Sequence, residues 1–273
     1  MTKEEFLERG RELGNIGKYK SAIKFYSKAL ALDSKFSEAY NLRGVAYSNI
    51  KDYEQAIYNF SRAIEFDSTN AELYDNRGII FSDLKEYARA IADFTKAIEL
   101  KPTKADFYIN RALAYSALED YGRAMKDFSA SIKIYPYSTT YYYRGDLYMS
   151  VGNFAAAVEE FNAAIKINNI FFEAYKLRGI CLYCLQKYEL AIADFNKILE
   201  FNINDAWSYF YRGLSYYRLE NFCEAIKNFN KAVDLQPEFA EAYKYRGAAY
   251  ELLGEEVFSK IDCRKVDELK GCW

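Results

Sequence analysis

Apolar and polar positions along this chain follow a helical spacing that restarts about every 34 residues. In the stretch AYNLRGVAY, Ala39 to Tyr47, aromatic and small residues recur at helical offsets around a central Arg-Gly pair. The figure returns as LYDNRGIIF, FYINRALAY, TYYYRGDLY, AYKLRGICL, SYFYRGLSY and AYKYRGAAY. Aligned on the residue after Arg, the column reads Gly10, Gly44, Gly78, Ala112, Gly145, Gly179, Gly213 and Gly247, a step of 34 shortened once to 33. A period of this size means one supersecondary unit stacked many times. The missing residue falls near Pro136 to Thr139, in an expected turn, where deletions are tolerated.

With this residue set as repeat position 8, further columns appear. Position 4 is Phe6, then Tyr40, Tyr74, Tyr108, Tyr141, Tyr175, Tyr209 and Tyr243. Position 20 is Ala22, Ala56, Ala90, Ala124, Ala157, Ala191 and Ala225. Position 24 is Tyr26, then Phe60, Phe94, Phe128, Phe161, Phe195 and Phe229, and position 27 is mostly Ala, with Ser131 and Ile198 as departures. Pro102, Pro136 and Pro237 share position 32. Offsets of three, four and seven, twice per unit, describe two amphipathic helices. The break between them is the short polar stretch seen in NIKDY, DLKEY and RLENF.

The repeated Arg-Gly pair is read as architecture. A glycine inside a helix costs roughly 1 kcal/mol relative to Ala, so the column must bring something back. Small residues at positions 8, 20 and 27 let two helix backbones approach while aromatics at 4, 11 and 24 fill the space beside them. The arginines, Arg9, Arg43, Arg77, Arg111, Arg144, Arg178, Arg212 and Arg246, have partners at position 23: Asp93, Asp127, Glu160 and Asp194, with Asn59 and Asn228. Ion pairing across packed helices is the expectation.

Composition narrows the chemistry. Only 3 Pro and 13 Gly in 273 residues are too few for a loop-rich sandwich or barrel. A formal net charge of -2 gives no broad positive field for nucleic acid or an anionic membrane. No apolar run reaches membrane-spanning length and the opening MTKEEFLERG is charged, so a soluble, cytoplasmic protein is expected. Histidine is absent, which removes the commonest general base and imidazole ligand. Five cysteines, an odd number, fit a reducing compartment, and the pair Cys181 and Cys184 lies within an expected helix with no second pair nearby. No metal, no cofactor and no enzymatic constellation is therefore expected.

These columns resemble the tetratricopeptide repeat, or TPR, family over essentially the whole chain, from Lys3 to about Gly254. The resemblance implies an all-α fold: a right-handed superhelical solenoid of stacked antiparallel helix pairs. Its concave groove would be lined by the first helix of each pair. Residues 1–254 are expected to form the tandem solenoid, seven full repeats plus the first helix of an eighth. Residues 255–273, with Ser259 and Cys263 where Ala and Phe are expected, would form a charged C-terminal capping helix.

The family's groove positions are 2, 5, 9, 12 and 13, with 6 contributing. Position 2 reads Glu4, Glu38, Glu72, Asp106, Thr139, Glu173, Trp207 and Glu241, which is either an acidic rail for a ligand or a helix-dipole preference. Repeats two to four place Asn41, Asp75, Asn76, Ser82, Asp83, Asn110 and Ser116 in the groove, among Val45, Ile79, Ile109 and Leu113. Repeats five to seven are more apolar and aromatic: Tyr142, Met149, Ile180, Tyr183, Trp207, Phe210, Leu214 and Tyr217, with Lys176 and Arg218. Such surface suits a binding site. The carboxylate clamp of TPR cochaperones is not matched, because Lys176 is followed by Ile180 at position 9 and no position 2 is basic. The asparagine ladder of the sugar-transferring TPR enzymes is met at position 6 only by Asn76 and Asn110.

The expected function is a non-catalytic scaffold or adaptor holding a partner protein's peptide or helix in the groove. The alternatives are single-stranded RNA binding, disfavoured by the acidic rail, and a regulatory region of a larger enzyme. No membrane partner is expected, and oligomeric state is not set by the sequence.

Overall fold

A computed structural model describes residues 1–270, which form α-helices joined by short turns. They fall into two compact units that divide between Pro136 and Tyr137, where the sequence period loses a residue. The first unit contains α1 (Lys3–Asn15), α2 (Tyr19–Leu32), α3 (Ser37–Asn49), α4 (Tyr53–Phe66), α5 (Ala71–Asp83), α6 (Tyr87–Leu100), α7 (Ala105–Ala117) and α8 (Tyr121–Ile134). The second contains α9 (Ser138–Ser150), α10 (Phe154–Ile167), α11 (Phe172–Cys184), α12 (Tyr188–Phe201), α13 (Ala206–Arg218), α14 (Phe222–Leu235), α15 (Ala240–Leu252) and α16 (Glu256–Lys270). The fold is all-α, built of stacked helix pairs.

Within each unit the odd-numbered helix packs on the even-numbered helix of its own pair, and that second helix packs on the first helix of the next. Successive first helices also touch one another, whereas second helices touch first helices on either side. The first helices of each unit therefore make an inner layer and the second helices an outer one.

The core of each pair is the position 24 ring. Phe60, Phe94 and Phe128 in the first unit and Phe161, Phe195 and Phe229 in the second are at most 1% exposed. The glycine column exists to seat these rings. A Cβ built on Gly78 would stand 2.7 Å from the Phe94 ring, and one on Gly44 or Gly213 2.8 Å from Phe60 or Phe229. The expectation of close backbone approach is thus refined: the missing side chain is replaced by an aromatic edge from the partner helix. Ala112 carries a real methyl at this position and is fully buried, so a small displacement of the ring accommodates one carbon.

The turn inside each pair is tight. Its position 15 residue is left-handed throughout: Gly17, Gly152 and Gly254 at φ of 74° to 78°, but Lys51, Lys85, Glu119, Gln186 and Glu220 at 58° to 62°. Five side chains thus occupy a conformation that costs roughly 1 kcal/mol each outside glycine. Side chains of Asp52, Asp120, Asn153 and Asn221 then cap the second helices by accepting a backbone N–H.

The arginine column does more than pair across its own helices. Arg77 grips Asp93 through Nε and Nη2, both at 2.8 Å, and its Nη1 donates to Ser61 of the preceding pair at 3.0 Å. Arg111 repeats this with Asp127 and Thr95, Arg178 with Asp194 and Asn162, and Arg246 with Asp262 and Asn230. Arg43 and Arg212 meet amides instead, Asn59 and Asn228, each 2.7 Å from Nε. Each guanidinium thereby ties its own pair together and ties it to the one before. Burial lowers Arg43 and Arg212 from the ordinary arginine range, the neighbouring tyrosines opposing it. In the first pair position 23 is Phe25, and Arg9 turns to Glu12 at 2.5 Å.

The eighth pair keeps the ladder but not the rings. Asp262 is 1% exposed and holds Arg246, while Cys263, at position 24, is exposed. Elsewhere the second helix offers apolar side chains to the next first helix, as Val158 and Ile165 do in one cluster with Ala174, Cys181 and Leu182. The corresponding residues of α16 are Lys260 and Asp267, both exposed. Of the segment 255–273, residues 271–273 lie outside the described residues.

Two stability measurements check this account. Gly78→Leu is expected to lower the urea midpoint by the equivalent of about 3 kcal/mol, because the added carbons collide with Phe94. Gly78→Ala is expected to stay within about 1 kcal/mol, ring displacement being offset by helix propensity. Equal midpoints for the two would refute the ring-seating role. Likewise Asp93→Asn should cost about 1 kcal/mol or less, since Asn59 serves the same geometry, whereas Asp93→Leu strands the half-buried guanidinium of Arg77 and should cost about 2 kcal/mol.

Candidate functional site

In the second unit the inner layer is aromatic, and the structure sorts its residues into two groups. Phe210 and Leu214 belong to the core at 5% exposure each, with Phe210 packed on Phe239 at 4.7 Å and beside Phe229 at 6.0 Å between ring centroids. They offer almost no free surface, because their helix is pressed between its neighbours. Tyr142, Met149, Ile180, Tyr183 and Tyr217 are half-buried, each resting on that core by one face. Tyr142 lies 5.0 Å from Phe171, Tyr183 5.6 Å from Tyr188, and Tyr217 5.4 Å from Phe222.

Trp207 stands apart. It is 44% exposed, its ring seated 4.6 Å from Phe239 and 6.2 Å from Tyr211. The two basic residues are engaged differently. Lys176 pairs with Asp205 at 3.1 Å, and Arg218 is exposed and donates through Nε to the Tyr183 hydroxyl at 3.2 Å. Their bonds link neighbouring first helices rather than converging on one ligand point.

In the first unit the inner layer is polar and tied in rungs. Asn76 Nδ2 donates to Asn41 Oδ1 at 3.0 Å, and Asn110 Nδ2 donates to Asp75 Oδ1 at 2.8 Å. Each position 6 amide thus reaches back to position 5 of the preceding repeat. The rail acids of this unit all have cations: Glu38 meets Arg11 at 2.6 Å, Glu72 meets Lys101 at 2.9 Å, Asp106 meets Lys104 at 3.4 Å, and Glu4 stands 3.9 Å from Lys3. Asp75 is half-buried and no ion pair reaches it among the described residues. Burial pushes its carboxyl up to about 6, the Asn110 hydrogen bond opposing and Asp106 and Glu72 adding to the rise.

Sequence reasoning missed Tyr211 and Tyr245, both at position 6, a column whose recognised signature is asparagine. Tyr211 stacks on Phe195 at 5.8 Å and Tyr245 on Phe229 at 6.3 Å. It also missed the Ser, Thr and Asn column at position 25, legible in Ser27, Ser61, Thr95, Asn162, Asn196 and Asn230 once the arginine's third donor is followed. Asp262 was a further omission. The CxxC pair divides: Cys181 is buried, with its thiol pushed up to about 12 by burial, and Cys184 is exposed. Among the described residues no group of three His, Cys, Asp or Glu side chains is arranged to hold a metal ion.

Family models agree with this periodicity. Models described as tetratricopeptide repeat match residues 37–70, 71–104, 94–126 and 142–206, and one described as TPR repeat matches 10–51 and 216–254. The chain belongs to the tetratricopeptide repeat family. No curated protein matches it. Among solved structures this TPR chain is similar to YrrB, described as a TPR protein with an unusual peptide-binding site, at 26% identity and a TM-score of 0.61, over 67% of this chain and 95% of that one. It is similar to MamA at 26% identity and a TM-score of 0.56, covering 60% and 90% of the two chains. The pilF protein of Pseudomonas aeruginosa shares the fold at 16% identity, with a TM-score of 0.65 over 80% and 96%. No described helix of this TPR chain is long and apolar enough to cross a membrane.

Asp75 supplies a pH test of the first unit. Its folded-state pKa is raised, so the stability it contributes is fully present below the ordinary carboxylate range near 4 and is lost as pH rises through about 6. Asp75→Asn removes that loss. It should stabilise the TPR chain at pH 7 by about 1 kcal/mol, part of the linkage being screened by water at this half-buried site, and the gain should vanish near pH 4. Thermal melts at the two pH values measure it, and an equal effect at both would refute the buried-carboxyl account.

Proposed function

We propose that this chain is a non-catalytic cytoplasmic scaffold that captures a peptide or helix of a partner protein on the inner layer of its second unit. The observation that carries the reading is Trp207. It occupies a rail position that is acidic in most repeats, is 44% exposed, and rests on a ready-made aromatic floor of Phe239 and Tyr211. A rigid, half-seated indole flanked by half-exposed tyrosines is the composition expected of an interface anchor. The half-buried Tyr183 and Tyr217 extend the same surface along the layer. The peptide-binding description of YrrB adds support from a similar chain. Family resemblance and the absence of histidine favour binding over catalysis. We also propose that residues 1–254 act as the repeat array and that α16, with Lys260 and Asp267 where other pairs present apolar side chains, caps it.

The test is a peptide selected by display on the intact chain, then titrated against the wild type, Trp207→Ala and Tyr217→Ala. Each variant is expected to weaken binding by about 1–2 kcal/mol, or about fivefold to thirtyfold, with melting temperature nearly unchanged for Trp207→Ala. Raising salt should weaken the complex only modestly. Unchanged affinity in both folded variants would sink the assignment. Tight, steeply salt-dependent binding of single-stranded RNA would replace it with the nucleic-acid reading.

A further inference from the structure

The first unit carries a surface of different chemistry, independent of the aromatic reading above. Along α5, Asp75, Ile79 and Asp83 follow one another at intervals of four residues and so share one stripe of the helix. At the level of Ile79, the adjacent first helices present Val45 and Leu113 at the same repeat position. Ile79 and Leu113 are 38% and 37% exposed. The inner face of this unit therefore reads acid, apolar, acid along α5, with apolar side chains to either side.

Charge accounting separates these two acids from their neighbours. The rail carboxylates Glu38, Glu72 and Asp106 have basic partners, and the Arg11 that serves Glu38 also binds Glu8 at 2.5 Å. Neither Asp75 nor Asp83 has a cation within ion-pair distance among the described residues. Asp75 is also fixed in place, since Asn110 holds one carboxylate oxygen at 2.8 Å. A half-buried carboxylate that is positioned but not neutralised leaves an electrostatic deficit that a mobile cation can fill. The exposed Ile79 and Leu113 beside it suit the aliphatic stem or an apolar neighbour of such a cation.

We propose that the inner face of the first unit, Asp75, Ile79, Asp83 and Leu113, binds a basic peptide segment that carries two cationic side chains with an apolar residue between them. The spacing fits an extended chain. Eight residues of helix separate the two aspartates, a rise of about 12 Å, and four residues of extended peptide span about 13 Å. One cation meets Asp75, the apolar side chain lies on Ile79 and Leu113, and the second cation meets Asp83. The charged groups facing Asp75 are Glu72 on its own helix and Asp106 and Lys104 from the neighbouring repeat, so its surroundings favour a cation on balance.

The experiment uses the full chain and the acetylated, amidated peptide Arg-Ser-Leu-Ser-Arg, with Glu-Ser-Leu-Ser-Glu as the opposite-charge control. Calorimetric titration at pH 7 should detect the basic peptide and not the acidic one. Asp75→Asn and Asp83→Asn should each weaken it about tenfold. Glu54→Gln, which removes the same charge from an exposed site on the outer layer, and Trp207→Ala, in the other unit, should leave it unchanged. Asp75→Asn is expected to be at least as stable as the wild type, so its loss of binding would not reflect unfolding. By linkage, saturation with the basic peptide should also lower the midpoint at which the Asp75 carboxyl carbon titrates in an NMR experiment. Equal weakening by Glu54→Gln would reduce the effect to bulk charge and overturn the proposal, as would an unmoved Asp75 titration. Loss of binding in Trp207→Ala alone would move the basic peptide to the second unit and overturn this site while sparing the aromatic one.

Discussion

A half-buried arginine that serves two helix pairs at once is the interaction on which the stacking depends. Its Nε and Nη2 close on a carboxylate of its own second helix, or its Nε alone on an amide, and its Nη1 reaches the hydroxyl or amide of the second helix before it. A guanidinium suits this because its donors diverge in one rigid plane and it stays charged when buried. The cost of burial is visible in Asp194 and Glu160, whose carboxyls burial pushes upward against the pull of Arg178 and Arg144. An apolar replacement of both partners of such a pair is often neutral, so net stability is a weak reason for the column. In a chain whose repeats have nearly the same apolar pattern, register is what an apolar core alone would leave open.

In every pair but the eighth, the ring that lies over position 8 completes the constraint. Position 8 must be small because position 24 is large, and position 7 must be long and charged because position 23 is buried and polar. These two conditions occupy the contact between the helices of a pair. Positions 2, 5, 9, 12 and 13 of the first helix lie outside that contact and vary from repeat to repeat, although Phe210 and Leu214 show that the core can recruit them. The amide and carboxylate rungs of the first unit and the aromatic surface of the second are two different uses of the same positions.

The same logic accounts for the tight turns. Left-handed Lys51, Lys85, Glu119, Gln186 and Glu220 are held where glycine would cost less, because packing on both sides of the turn over-determines its path.

The sequence by itself determined the period, the two helices per repeat, the position of the shortened step and the pairing of position 7 with position 23. Those follow from spacing alone, because a helix puts residues three and four apart on one face and a repeat forces like columns to like surroundings. It did not determine which inner-layer residues remain accessible. Phe210 and Trp207 are three residues apart and equally apolar on paper, yet one is 5% exposed and the other 44%. Both rings lie on Phe239, and only the further packing of Phe210 against Phe229 and Tyr245 separates them. Nor could it show that Glu38, Glu72 and Asp106 are paired while Asp75 is not, since their lysine and arginine partners come from the preceding first helix and from the turns between repeats. Local periodicity is written in the chain, but the balance of charge and exposure at a surface depends on neighbours that only folding brings together.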